Sequence, residues 1–334
     1  MSRSLVILVF AAGGLVFGGC GRPAVRQAGG QPAQVRVGFF ANLTHAQAIM
    51  AVDSGELASA LAPAKLVTRV FNAGPSEIEA LLAGEIDIGY IGPGPAINGY
   101  VRTGGRGIRI IAGASANGVL IVARKDAGIS SPADLRGKRL ATPQFGNTQD
   151  ISARRYLLAV LKQEGTGNIV PVPNAELRGM MLRKQIDAAW APEPWGTLLV
   201  LDPEVQAVPL AREHELKELW PDGTMTLAVV ITTPRFLESH PGAVAKFLEV
   251  HRNWTRRLSV ERDKHLPRLG KALADLTGRA LPDEVLRSAL GNVRFTDDPL
   301  PRTLENMALW AWELGFLRSR PDLTGLVVRT GEAG

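Results

Sequence analysis

The sequence predicts an α/β fold of two similar lobes that face one cleft. Two observations predict it: a chain long enough for two cores, and a repeated unit. In this unit a helix leads to an Ile-Asp pair, a short apolar strand and a loop with two prolines, at Phe71–Tyr100 and again, more loosely, at Leu177–Trp195. In open α/β sheets, ligands bind beyond the carboxyl ends of the strands. The two loops therefore indicate one cleft; general likeness among α/β units is the alternative.

The composition suits two packed domains and argues against a nucleic-acid partner. The chain has 334 residues, of which 46% are hydrophobic, and this suffices for two cores. The net charge is +6 and the pI about 9.7, but Lys and Arg are scattered among acidic residues. No zinc-finger, helix-turn-helix or RNA-binding motif accompanies them, so we expect no nucleic-acid partner. The basic surface is either simply solvated or attracts small anions.

The N-terminus predicts export and attachment to a membrane. Arg3 precedes an apolar run, Leu5–Phe17, which is short for a membrane span and typical of a signal peptide. The run ends in Phe-Gly-Gly-Cys, and Cys20 is the only cysteine in the chain, so no disulfide is expected. This pattern is similar to a lipobox and predicts a signal peptide over residues 1–20, with lipid attachment at Cys20. Phe17 stands where lipoproteins usually carry Leu, so ordinary secretion is the alternative.

The next segment, residues 21–33, is rich in Gly, Pro, Ala and Gln, and we interpret it as a flexible tether. Two capping boxes then predict helix starts, Thr44 with Gln47 and Ser76 with Glu79. Pro95 suits the first position of the following helix, because its missing N–H would have no acceptor there. Apolar runs in this half predict strands at 35–40, 65–71, 86–91 and 108–113.

In the second half, Asn147 is expected to cap a helix over 148–162, with Asp150 three residues into it as in a capping box. The predicted strands around this helix lie at 119–124, 139–142, 169–173, 188–191, 205–210 and 226–232. From Pro234 on, the chain is predicted to be helical, with helices over 241–258, 264–276, 282–290 and 302–314.

Helix starts are the candidate anion sites. The first amides of a helix, together with the positive end of its dipole, bind an oxyanion without a lysine. We expect Asn147 and Thr148 to hold the anionic end of a ligand in this way. An ordinary helix cap is the alternative at each position. The sequence distributes four strand–turn–helix starts over both halves, at residues 42–45, 93–96, 147–149 and 192–196.

Two residues after the second Ile-Asp pair have more than one interpretation. Trp195 is either buried packing or an apolar wall for the tail of a ligand. Glu193 is either a surface acid or the partner of a ligand amine.

Several segments, in the same order, resemble solute-binding proteins of ABC importers, in the branch for sulfonates, taurine and nitrate. They are VRVGFFANLTHAQAI, FNAGPSEIEALLAGEIDIGYIGPGPAING, SPADLRGKRLATPQFGNTQD, QIDAAWAPEPW and TTPRFLESHPG. The likeness covers about Val35–Leu317 and implies a two-lobe, type II periplasmic-binding-protein-like fold with two interlobe crossovers. Residues 34–117 and 232–330 would form lobe 1, and residues 118–231 lobe 2.

The resemblance also implies a function. It implies a monomeric, lipid-anchored receptor, periplasmic or extracytoplasmic, that closes on a small anionic ligand and delivers it to an ABC permease and its ATPase. No catalytic residue, metal or cofactor is expected. An aliphatic sulfonate is anionic with three acceptors and suits opposed helix starts, and Trp195 favours an organic tail over nitrate or bicarbonate. By position, the ligand contacts would be Asn42, Thr44, Gly94, Pro95, Ala96, Asn147, Thr148, Gln149, Glu193 and Trp195.

Other functions stay open from the sequence. Pyrimidine-synthesis enzymes of thiamine metabolism share this fold by resemblance, but the five histidines here show no ligand spacing. A binding protein for a pyrimidine precursor is a further alternative, because Trp195 could stack on a ring. Asp150 and Glu193 could in principle form an acid pair for glycoside chemistry. A sensor domain without transport is the remaining alternative.

Overall fold

The structure is a computed structural model that describes residues 32–328. The predicted signal peptide, Cys20 and most of the tether therefore lie outside the described residues. Over the described range, none of the helices combines the length and apolar character needed to cross a membrane.

Eleven strands are described. They are β1 Gln34–Phe40, β2 Lys65–Phe71, β3 Ile88–Ile91, β4 Arg109–Asn117, β5 Val119–Ala123, β6 Leu140–Thr142, β7 Ile169–Pro171, β8 Ala188–Pro192, β9 Val208–Arg212, β10 Thr226–Thr232 and β11 Val293–Phe295.

The α-helices over the same range begin and end close to their predicted bounds in most cases. They are α1 Ala46–Asp53, α2 Glu56–Leu61, α3 Gly74–Leu82, α4 Pro93–Arg102, α5 Thr148–Arg155, α6 Leu177–Leu182, α7 Trp195–Leu201, α8 Pro234–Ser239, α9 Pro241–Val260, α10 Arg262–Thr277, α11 Asp283–Gly291 and α12 Pro301–Glu313.

Two sheets form the centres of two lobes, as predicted. The first has the order β11-β4-β10-β3-β1-β2 and the second the order β7-β6-β8-β5-β9. In each, three parallel strands (β2, β1, β3 and β7, β6, β8) are followed by one antiparallel strand, β10 or β5. The chain crosses between the sheets twice, after β4 and after β9. The α/β fold with two crossovers is thus confirmed.

The predicted return to lobe 1 at residue 232 is wrong. Strand β10 already belongs to the first sheet, where it pairs with β3 and β4. All seven of its residues are buried. A strand that is apolar on both faces needs neighbours on both edges and cover on both faces, and the middle of the first sheet supplies these. The second crossover therefore lies before Thr226.

The repeated Ile-Asp unit is a repeated hydrogen-bond arrangement. Asp87 accepts from the backbone N–H of Arg36 at 2.8 Å and from its Nε at 2.9 Å. Asp187 accepts from the backbone N–H of Arg139 at 2.9 Å and from its Nε at 3.0 Å. Each carboxylate thus joins the strand that follows it to the neighbouring parallel strand, β1 in one lobe and β6 in the other. Arg124 adds a bond to Asp187 at 3.1 Å.

Two predicted capping boxes do not form. The Thr44–Gln47 box is wrong: a single 3-10 turn, Leu43–His45, precedes α1, and no side chain caps it. Gln47 is buried and donates instead to the Ala114 carbonyl and to Thr255. Its amide cannot serve a helix end and the core at the same time, and burial without a partner would cost more than a missing cap.

The second capping box, Ser76 with Glu79, does not form either, and two helices of lobe 1 begin earlier than predicted. Helix α3 begins at Gly74, not at Glu77, so Ser76 lies inside its first turn and donates to the Ala73 carbonyl at 2.9 Å. Helix α4 begins at Pro93 rather than at Pro95, with Gly92 as its N-cap. Both prolines fit the first turn, because neither has an N–H that would lack an acceptor.

Candidate binding cleft

The two lobes meet at a small pocket formed by the loops after the parallel strands. Its volume is about 30 Å³, room for about one water molecule, so the lobes are closed on each other. The lining comes from the carboxyl ends of β1, β2 and β3 in lobe 1 and of β6 and β7 in lobe 2. The lining residues are Phe40, Asn42, Asn72, Ala73, Gly74, Gly92, Pro95, Pro143, Asn147, Thr148, Gln149 and Asn174.

The start of α5 is the polar centre of the cleft. Asn147 caps the helix as predicted, since its Oδ1 accepts from the Asp150 N–H at 2.8 Å. The N–H groups of Thr148 and Gln149 belong to the first turn, where no intrahelical acceptor exists. Across the cleft, the Gly94 N–H in α4 donates to the Thr148 hydroxyl at 3.2 Å. The first turns of α4 and α5, one from each lobe, therefore touch.

The carboxylate of Asp150, in the first turn of α5, forms an ion pair within lobe 2. Asp150 is fully buried and accepts from Arg154 Nε at 3.0 Å and from the Gly146 N–H at 2.8 Å. It also accepts from the Thr142 hydroxyl at 3.3 Å. The Asp150 side chain thus reaches back to Gly146 rather than to the N-cap residue, so the capping box is only half formed. Its charge is balanced by Arg154.

Direct bonds also join the lobes beside the pocket. The Trp195 indole Nε1 donates to Asn42 Oδ1 at 2.9 Å. The Leu43 N–H donates to the Glu193 carbonyl at 3.2 Å. The Trp195 ring is half-buried and packs against the apolar core of lobe 2. Its polar tip reaches lobe 1 while its ring stays in lobe 2, so closing the lobes creates this bond.

The carboxylate of Glu193 is occupied by protein donors. It is fully buried and accepts from the Thr197 N–H at 3.0 Å, the Thr197 hydroxyl at 2.8 Å and Asn292 Nδ2 at 2.6 Å. Burial raises the pKa of Glu193, and these three donors oppose the rise. Because the side chain is buried, Glu193 is not a surface acid, which was one of the two roles left open by the sequence. Both of its carboxyl oxygens accept from protein donors. Asn292 follows α11 in lobe 1, so this bond too spans the lobes.

The side chains that line the cleft are uncharged. None of the twelve lining residues is charged, and five of them carry carboxamides. Behind the wall, His45 stacks on Phe40 with ring centroids 4.5 Å apart, and its Nδ1 accepts from the Phe40 N–H at 3.1 Å. Burial lowers the pKa of His45 to about 3, so the ring is neutral at physiological pH. Polar contact in this cleft therefore comes from neutral donors and acceptors.

Only part of the predicted site set lines the pocket. Five residues do so: Asn42, Pro95, Asn147, Thr148 and Gln149. Gly94 and Trp195 lie next to the pocket, bonded to Thr148 and Asn42. The remaining three, Thr44, Ala96 and Glu193, are buried away from the lining.

Seven of the twelve lining residues were missed by sequence reasoning, and three of them, Phe40, Asn72 and Asn174, lie at or just after the end of a parallel strand. Phe40 ends β1, Asn72 directly follows β2, and Asn174 lies shortly after β7. The rule about carboxyl ends of parallel strands would have found all three, had it been applied to every strand. The sequence analysis used only those strands followed by a helix-start motif. Asn174 Oδ1 is buried and has no hydrogen-bond partner in the part of the chain that the structure describes.

A family model described as the NMT1-like family matches residues 28–269. The chain belongs to the NMT1-like family. Its relatives include the taurine-binding periplasmic protein of Escherichia coli (strain K12), which is 31% identical over 183 residues, or 54% of this chain and 53% of that protein. A protein of Brucella abortus (strain 2308), whose name describes it as a binding protein, is 31% identical over 127 residues. That match spans 37% of this chain and only 38% of the Brucella protein.

Among solved structures, this NMT1-like chain is similar to the alkanesulfonate-binding protein SsuA from Xanthomonas axonopodis pv. citri, bound to MOPS. The TM-score is 0.74 at 22% identity, over 90% of this chain and 99% of that one. At this identity the likeness concerns the fold alone, and it confirms the predicted two-lobe α/β architecture. Among residues 32–328, no group of three or more His, Asp or Glu side chains is placed to hold a metal ion.

Proposed function

We propose that this chain is the extracytoplasmic solute-binding lipoprotein of an ABC importer. It binds a small organic oxyanion, of the aliphatic sulfonate or taurine type, between its lobes and delivers it to a permease with its ATPase. The observation that carries this is the contact between two helix starts. The first turn of α4 in lobe 1 and of α5 in lobe 2 meet at the bond from Gly94 to Thr148.

The chemistry of the cleft suits an anion with several acceptors. A sulfonate has three oxygens, and helix-start amides and carboxamides supply directed donors without a counter-charge. The Thr148 hydroxyl, which accepts from Gly94 in the closed form, can turn its O–H toward a ligand oxygen. Asn147, Gln149 and Asn42 stand around it with side-chain amides. Phe40 adds an aromatic wall that would pack against an organic tail.

Closure couples binding to delivery. In the closed form, the Gly94 N–H and Asn42 Oδ1 make hydrogen bonds across the cleft. Both groups become free when the lobes part. A ligand that bridges both helix starts would take the place of these direct contacts and hold the lobes together around itself, because it contacts both lobes at once. The relatives' names, which describe a periplasmic taurine-binding protein and binding proteins, agree with a receptor outside the cytoplasm. Lipid attachment at Cys20 would keep it at the membrane.

Thermal unfolding in the presence of candidate ligands tests this function. The chain from residue 20 onward, carrying Cys20→Ser, is heated with alkanesulfonates, taurine, nitrate, bicarbonate or pyrimidines. A ligand at about 100 times its Kd adds about 2.7 kcal/mol to the free energy of unfolding. We expect the largest shift with a sulfonate, and no chemical change in the recovered ligand. Detectable turnover, or a shift with pyrimidines alone, would contradict the proposal.

Asn147→Asp locates the anion. Aspartate caps helices as well as asparagine, so the bond from the Asp150 N–H is retained. The added charge lies about 4 Å from a bound anion, where like charges repel by about 4 kcal/mol in a partly solvated site, a thousandfold loss of affinity. The matched control is Asn253→Asp on α9, outside the cleft. An equal ligand shift in both variants would mean that the anion binds elsewhere.

A further inference from the structure

A second, larger groove lies at the opposite edge of the lobe 1 sheet. Its volume is about 1010 Å³, and the amino ends of β1 and β3 form one wall. Gln34, at the start of β1, lines this groove, whereas Phe40, at the end of the same strand, lines the cleft. Six residue steps at about 3.3 Å each separate the two by about 20 Å. The groove and the cleft therefore open at opposite ends of the lobe.

The groove carries positive charge beside an apolar side chain. Arg36, Arg106 and Arg235 line it, and the only acid in its lining, Asp87, is ion-paired with Arg36. Arg106 and Arg235 are exposed, and neither makes an ion pair within residues 32–328. Leu82, in the same lining, is 40% exposed. Unpaired guanidinium groups next to exposed apolar surface suit a partner that is anionic at its surface and apolar below it.

The part of the chain that the structure describes begins at this groove. Pro32 lines the groove, and the predicted lipid attachment site, Cys20, is 12 residues earlier in the sequence. Even a fully extended chain spans at most about 3.3–3.6 Å per residue, which limits the separation to about 40 Å. An acylated Cys20 would thus keep this end of lobe 1 within about 40 Å of the bilayer.

We propose that the groove formed by Arg36, Arg106, Arg235 and Leu82 docks on the headgroups of anionic phospholipids. The docking rests on the lipid attachment included in the proposed function. Arginine forks bind phosphate well, and a polybasic surface near an anionic leaflet is attracted within a Debye length. With the groove on the membrane, the cleft faces away from it, open to ligand. The attraction is weak enough to release the lobe toward a permease.

Co-sedimentation with lipid vesicles tests the docking. The chain from residue 20 with Cys20→Ser is suitable, since it contains the apolar clusters of both lobes and cannot be acylated. We expect it to sediment with vesicles of phosphatidylglycerol and phosphatidylcholine, but not with phosphatidylcholine alone, and to be released by salt. Replacing both Arg106 and Arg235 with Gln should lower the partition coefficient about 30-fold, at the usual attraction for each basic residue.

Arg256→Gln with Arg318→Gln is the matched control, because it removes the same charge from exposed positions outside the groove lining. This control is expected to change partitioning less than about threefold. Equal losses in the two double variants, or equal binding to both kinds of vesicle, would overturn the docking. The ligand-induced thermal shift, measured on the same proteins, separates the two proposals. If the wild-type sequence shows the ligand shift but does not sediment with anionic vesicles, the docking is wrong and the proposed function stands.

Discussion

Glu77→Gln should change how the stability of lobe 1 depends on pH. Glu77 lies in α3, fully buried, and neither carboxyl oxygen has a hydrogen-bond partner among the described residues. The side chain fits between β1 and β3 because glycines face it. A Cβ at Gly38 or at Gly89 would lie 2.6 Å from Glu77 Oε1. Burial raises the pKa of Glu77 well above its ordinary value, so the folded protein keeps this carboxyl protonated.

The sign of the pH effect follows from this raised pKa. Below about pH 4.5 the carboxyl is protonated in both states, and the folded protein keeps its full stability. As the pH rises, the unfolded chain loses the proton while the folded chain retains it, so the free energy of unfolding falls by about 1.4 kcal/mol per pH unit. Between pH 5 and 7 the loss is about 2.7 kcal/mol while the folded carboxyl stays protonated. Glutamine cannot ionise and should remove this slope.

Urea unfolding at pH 5, 6 and 7 measures the effect. The quantity compared is the difference in free energy of unfolding between wild type and Glu77→Gln, since the buried Glu193 and Glu213, both with raised pKa values, are the same in each. A part of this difference that does not change with pH reflects only the cost of burying the glutamine amide. Glu79→Gln, on the exposed face of the same helix, should show no slope. If the difference for Glu77→Gln is the same at every pH, the carboxyl ionises in the folded state and the argument fails.

Three further predictions concern packing, ion pairing and closure. Gly89→Ala places a methyl against Glu77 and should lower the free energy of unfolding in urea by about 1–3 kcal/mol. The loss should be smaller in a protein that also carries Glu77→Ala, and equal losses with and without Glu77 would contradict the contact. Asp187→Asn should cost about 1–3 kcal/mol at pH 7, because two arginines lose their acceptor. The pKa of Asp187 is lowered, so this deficit should disappear as acid protonates the wild type, and a deficit that persists in acid would argue against it. Trp195→Phe removes the bond to Asn42 and should lower the closed-to-open ratio about fivefold in interlobe fluorescence transfer, whereas an unchanged ratio would exclude this bond as a latch.

The two-lobe architecture was predictable because one short motif encodes a structural need. An Ile-Asp pair before a parallel strand supplies a carboxylate to the neighbouring strand. In both copies its partner is an arginine, Arg36 on β1 or Arg139 directly before β6. Local patterns that depend on distant partners were less informative. Gln47 matches a capping box, but its partner Thr255 is more than 200 residues away. Likewise, the apolar run of β10 gave no sign of which sheet would enclose it.

The candidate cleft was predictable in its location and only partly in its residues. The start of α5 could be identified because the Asn147 cap is a local pattern. The hydrogen bonds that occupy Glu193 could not, since its third donor, Asn292, belongs to the other lobe and lies 99 positions later in the sequence. Asn72 and Asn174 follow strands without any helix-start motif, so only the topology of the sheets brings them to the pocket.

The absence of ionic side chains from the cleft lining has a consequence for a receptor exposed to a changing medium. Backbone and carboxamide groups hold no proton that can be lost or gained near neutrality, and a sulfonate stays ionised throughout. Capture should then vary little between acidic and alkaline surroundings. Discrimination among solutes would depend on how many acceptors each one presents, and in which directions.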